Sequence, residues 1–105
     1  MSESRLTHGL APPVLHHLHD AFRRFPEVEQ VLIFGSRARG TARSGADIDL
    51  AVRAPKLDST AFAGLHQALD DLPLLYKLDL IHLDTLADPV LMRKIQHDGQ
   101  VLYQR

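Results

Sequence analysis

The segment Gly35–Leu50, GSRARGTARSGADIDL, concentrates the side chains in this chain that are able to do chemistry. It follows an apolar run, so a strand enters a Gly-Ser turn. A strand running into such a turn and then a short helix aims free backbone N–H groups at one point, a site that attracts phosphate. Gly35 allows close backbone approach because it has no side chain. The Ser36 hydroxyl adds a donor, and Arg37 or Arg39 has the charge to pair with phosphate oxygens. About ten residues further on, Asp47 and Asp49 stand two apart in a strand-like run and therefore leave the same face. Two strand rises put their Cα atoms roughly 7 Å apart, within reach of one Mg²⁺ or a metal pair. Two bare carboxylates on one face repel each other unless a cation neutralises them. A Gly-Ser turn alone, or D-x-D alone, is commonplace. Their order and spacing make the combination specific.

The flanking pattern predicts the elements that hold this segment. Val14, Leu15, Leu18, Ala21, Phe22 and Phe25 recur at helical spacing between Pro13 and Pro26. Residues 28–34 (VEQVLIF) read as a buried strand ending at Gly35, and 47–52 (DIDLAV) as a second strand closed by Pro55. Residues 59–72 place Phe62, Leu65, Leu69 and Leu72 on one helical face, with Asp58 or Ser59 as N-cap. Residues 77–82 (KLDLIH) form a third strand candidate, 91–97 a short helix stopped by Gly99, and 101–103 a final strand. Helices alternating with strands indicate an α/β (α+β) domain in which helices flank a short mixed sheet. The expected organisation is a flexible arm over residues 1–12 and one domain over 13–105.

GSRARG followed by ADIDLAV closely resembles the signature of the DNA polymerase beta-like nucleotidyltransferase superfamily, a Gly-Ser turn followed by D-x-D. KLDLIHL and the closing I-x-x-D-G-x-V-L-Y resemble its minimal nucleotidyltransferase (MNT) branch, so the likeness runs from about residue 13 onward. It implies the nucleotidyltransferase fold, with Gly35 and Ser36 holding a triphosphate and Arg37 and Arg39 assisting. It also implies that Asp47, Asp49 and a third carboxylate, matched by Asp79, bind Mg²⁺ and carry catalysis. ATP is the substrate expected from the resemblance. Members of this branch pair with small helical HEPN-type proteins, so an MntA-like antitoxin that adenylylates a partner tyrosine is implied. The competing reading is a non-catalytic antitoxin that only binds and neutralises such a partner. The branch usually carries serine before its first metal-binding aspartate, and this chain has Ala46.

Composition narrows the classes. The 105 residues suit one domain. Twelve basic against thirteen acidic residues argue against a general nucleic-acid binder. The absence of cysteine excludes disulfide scaffolds and thiolate chemistry. No apolar run approaches the roughly 20 residues of a membrane span, and the first residues lack signal-peptide character, so a cytoplasmic protein is expected. A small open sheet leaves apolar surface that favours a homodimer or heteromer. His16, His17 and His19 read as solvent-facing helix residues, and His82 as a packing or surface residue. Asp70, Asp71, Asp84, Asp88 and Asp98 read as helix-end or loop residues.

Overall fold

In the computed structural model, residues 10–35 and 47–105 are described. Their elements run α1 (Pro12–Arg23), β1 (Gln30–Phe34), β2 (Ile48–Arg53), α2 (Ser59–Asp70), β3 (Leu78–His82), a 3₁₀ turn (Leu83–Thr85), α3 (Pro89–Asp98) and β4 (Gln100–Gln104). This is the expected mixed α/β architecture. The sheet order is β3-β2-β1-β4. β1 pairs antiparallel with both β2 and β4, while β2 and β3 run parallel.

Side-chain alternation sorts the strands into two faces. Val31, Ile33, Ile48, Leu50, Val52 and Leu78 point into one core with Leu18 and Phe22 of α1 and Leu65 and Leu69 of α2. Leu10, ahead of α1, is fully buried in the same core. The opposite face presents Leu32, Phe34, Ala51 and Ile81 to Leu91 and Ile95 of α3. Asp49 and Asp79 alternate with the first set, so they share the α3 face. Helices therefore cover both sides, but α3 is short and leaves one end of its face to polar side chains.

Local chemistry explains the element ends. The Asp58 carboxylate accepts the Ala61 N–H at 2.8 Å and caps α2, and Pro73 follows its end. α3 starts two residues before the sequence pattern suggests. Asp88 accepts from the N–H groups of Val90 and Leu91, and Pro89 sits in the first turn, where its missing N–H costs nothing. Polar capping, invisible to an apolar count, set that boundary. In β4, Val31 faces Tyr103 while Leu32 faces Val101, so Leu102 is the extra residue of a β-bulge. Its carbonyl accepts from His19 Nε2 of α1. His19 is thus a tether between helix and sheet edge rather than a solvent-facing residue, and its ring also contacts Tyr103.

His82 closes β3. Its ring stacks on Phe62 with centroids 4.8 Å apart and planes 6° from parallel, and its Nε2 donates to the Ala54 carbonyl at 2.9 Å. The Asp84 carboxylate accepts the Ala54 N–H at 2.7 Å. These contacts pin the 3₁₀ turn to the end of β2. Three strand rises, roughly 10 Å, separate them from Asp79, so His82 serves packing.

Candidate active site

The strand register does most of the assembly. In the parallel ladder Asp49 lies directly beside Asp79, and in the antiparallel ladder Asp49 lies beside Phe34. The N-terminal ends of β2 and β3 therefore meet the C-terminal end of β1, where the chain turns at Gly35. Asp47 immediately precedes β2 and is exposed. Its charge still acts on Asp49. Asp49 and Asp79 are both part-buried and come within side-chain hydrogen-bonding reach of each other.

Carboxylates placed this way are electrostatically uncomfortable. Burial, then the like charges of Asp79 and Asp47, then the hydrogen bond with Asp79 push the Asp49 carboxyl above its ordinary value of 3.8. Lys94 of α3 pulls in the opposite direction. Asp49 holds a proton more readily than an isolated aspartate does, a response characteristic of a carboxylate awaiting a cation or a proton.

Gly35 completes this corner. Its φ of +78° lies in the left-handed region, which glycine enters freely and other L-residues enter at a cost. A Cβ there would stand 2.6 Å from Asp49 Oδ2. The bare Cα of Gly35 thus forms the wall against which the Asp49 carboxylate rests. Two sequence-derived residues fourteen apart in the chain are in contact, each shaped for the other.

The donor set suits a hard divalent cation: carboxylate oxygens only, on adjacent strands, with repulsion that a cation would relieve. Among the described residues no group of three or more acidic or histidine side chains is gathered into a ready-made metal cage. Asp49 and Asp79 are brought together, whereas Asp47 stands at the rim. Ser36, Arg37, Arg39 and Ala46 lie outside the described residues. Lys94 was not singled out by the sequence reading. The available signal was its place three residues after Leu91 and one before Ile95, at the flank of the buried helical stripe.

The model of the polymerase beta nucleotidyltransferase family matches residues 16–105. This chain belongs to that family. Solved structures agree with the assignment. A chain in a toxin–antitoxin crystal structure with AMP-PNP is 30% identical, with a TM-score of 0.70, over 87% of this chain and 73% of that one. A chain in the complex of tri-AMPylated Shewanella oneidensis HEPN toxin with MNT antitoxin is 27% identical, with a TM-score of 0.66, over 89% and 71%. A chain of the toxin–antitoxin MntA–HepT is 26% identical, with a TM-score of 0.65, over 89% and 72%. The nucleotidyltransferase fold and the likeness to MNT antitoxins are therefore both established. No curated sequence matches. Among the described residues no helix is long and apolar enough to cross a membrane.

Proposed function

We propose that this nucleotidyltransferase domain transfers AMP from ATP to an acceptor hydroxyl, in a reaction dependent on Mg²⁺. The acceptor we assign is a tyrosine of a small helical HEPN-type partner, which makes the protein a catalytic antitoxin. The observation that carries the reading is the side-by-side placement of Asp49 and Asp79 against the bare Cα of Gly35, with Asp47 at the rim. A surface used only for binding has no need of mutually repelling carboxylates on two adjacent strands. The likeness to chains in a structure with AMP-PNP and in a complex with an AMPylated HEPN toxin supports the choice of nucleotide and acceptor.

Asp47, Asp49 and Asp79 would hold the metal. Bound Mg²⁺ supplies positive charge to the phosphate and to the attacking and leaving oxygens. The remaining work belongs to the chain. Gly35 and Ser36 cradle the triphosphate through backbone N–H groups and the hydroxyl, and Arg37 and Arg39 pair with its oxygens. The acceptor oxygen attacks the α-phosphorus in line, forming a new P–O bond as the bond to the bridging β-phosphate oxygen breaks. Pyrophosphate leaves with that electron pair. The acceptor proton passes to a carboxylate of this cluster, which acts as the general base. Positioning and charge stabilisation supply most of the rate in chemistry of this kind.

The test is transfer of α-labelled ATP to the purified partner in Mg²⁺, by wild type and by Asp47→Ala/Asp49→Ala. Label on the partner with wild type alone supports catalysis. A tight complex formed equally by both proteins, with no label transferred by either, replaces this reading with that of a binding module.

A further inference from the structure

The face of the sheet that carries Asp49 and Asp79 is covered by α3 together with Leu83 and Leu86, and α3 ends at the same end of the sheet as the aspartates. Ile95 is fully buried and packs with Leu91 over Phe34, Ala51 and Ile81. A Cβ at Gly99, just beyond the helix, would come to 3.4 Å from the Leu32 side chain. Gln100 then pairs with Ile33, next to Phe34, which itself faces Asp49. The chain thus leaves α3 two strands away from Asp49 and three from Asp79, at the same end of the sheet. Lys94 lies one turn earlier, about 6 Å along the helix axis from Asp98. It adjoins Ile95 and follows Leu91 by three residues, so it flanks the sheet-facing stripe and its ammonium is exposed.

Two further facts concern its charge. Among the described residues, Lys94 is the cation whose charge opposes the upward shift of the Asp49 carboxyl. The ion pairs among the described residues all join histidine to aspartate, and none includes Lys94. It stands near the carboxylates without being consumed by them. A lysine at this flank of α3 is placed to meet an anion that arrives beside the aspartates, where a flexible stem and three ammonium donors suit phosphate oxygens.

Resting on the proposed nucleotidyl transfer, we infer that Lys94 binds the β- and γ-phosphates of the nucleotide and so holds the pyrophosphate as it leaves. The role is electrostatic and positional, and the charge rather than the length of the side chain matters most. Lys94 is a further source of positive charge, carried on α3 rather than on the Gly35 turn.

The experiment compares wild type, Lys94→Met and Lys94→Arg for binding of ATP, AMP and inorganic pyrophosphate in Mg²⁺ by calorimetry, after thermal unfolding has confirmed that each is folded. Lys94→Met is expected to weaken ATP and pyrophosphate binding about tenfold or more and to leave AMP binding within about twofold. Lys94→Arg is expected to restore ATP binding to within about threefold. Equal affinity of wild type and Lys94→Met for ATP overturns the inference while leaving the proposed function standing. Parallel losses for ATP and AMP also overturn it, since they describe a structural role. A wild type that binds neither ATP nor pyrophosphate overturns both readings together.

Discussion

Replacing Gly35 by alanine separates stability from catalysis at the corner where the site is built. The backbone there has φ of +78°, and an L-residue held in the left-handed region costs about 1–2 kcal/mol. Alanine also removes freedom from the unfolded chain, which offsets about 0.4–1 kcal/mol. The net loss is about 1 kcal/mol, or about 4–8 °C in Tm for a domain of this size. The effect on the site is larger. The new Cβ begins 2.6 Å from Asp49 Oδ2 and ordinary contact starts at 3.4 Å, so carboxylate and backbone must separate by about 0.8 Å. Asp49 is the easier group to move, because its carboxylate ends a side chain that is only part-buried. Misplacement of a reacting group by about 1 Å costs on the order of 10²-fold in rate. Gly35→Ala should therefore unfold only a few degrees early while losing about 10²-fold in AMP transfer, measured as the single-turnover rate with saturating ATP and partner. Gly64 provides the control. A Cβ there meets nothing within 4 Å, and the residue lies in the middle of α2. Gly64→Ala should gain about 0.5–1 kcal/mol and leave transfer unchanged. A folded Gly35→Ala protein that transfers within about threefold of wild type would refute the claim that Gly35 and Asp49 form the working geometry.

Asp49→Asn should abolish transfer and yet stabilise the fold, because it removes repulsion from Asp79 and Asp47. For part-exposed charges the gain is about 0.5 kcal/mol, or about 2–4 °C by calorimetry. The pH dependence has a definite sign. The folded state binds the Asp49 proton more tightly than the unfolded chain does. Wild-type stability is therefore highest below 3.8 as far as this group is concerned and falls as pH rises through its elevated native value. That slope should be absent from Asp49→Asn denaturant titrations. Mg²⁺ competes with the same proton, so its stabilising effect on Tm should fade on acidification through that window and vanish in an Asp49→Asn/Asp79→Asn double variant. Gly99→Ala should destabilise without touching the chemistry. Its Cβ would clash with the Ile95 carbonyl oxygen, which accepts the Gly99 N–H. A Tm loss of several degrees with nucleotide affinity retained is expected by differential scanning calorimetry.

Local pattern carried much of this into the sequence. Period-two alternation put Asp49 on the face opposite Ile48 and Leu50, and the helical stripes of α1 and α2 appear as the observed core. The limits arise where structure depends on contacts distant in sequence. Asp79 entered the site by resemblance and by the cost of a carboxylate in an apolar strand. That it stands directly beside Asp49 follows from the parallel β2–β3 register, which no local spacing encodes. The early start of α3 depended on the Asp88 cap, and the tethering of His19 depended on a bulge in β4. Lys94 shows the same limit. Periodicity places it at the edge of a buried stripe, but only the crossing of α3 over the sheet brings its charge to Asp49.

The most direct test of the central claim is intact-mass measurement of the HEPN-type partner after incubation with this protein, ATP and Mg²⁺, beside a parallel sample containing Asp79→Asn. The account predicts partner mass increased by whole AMP units at a tyrosine with wild type, and unmodified partner with Asp79→Asn or with chelated metal. Unmodified partner in every sample, or equal modification by Asp79→Asn, would contradict it.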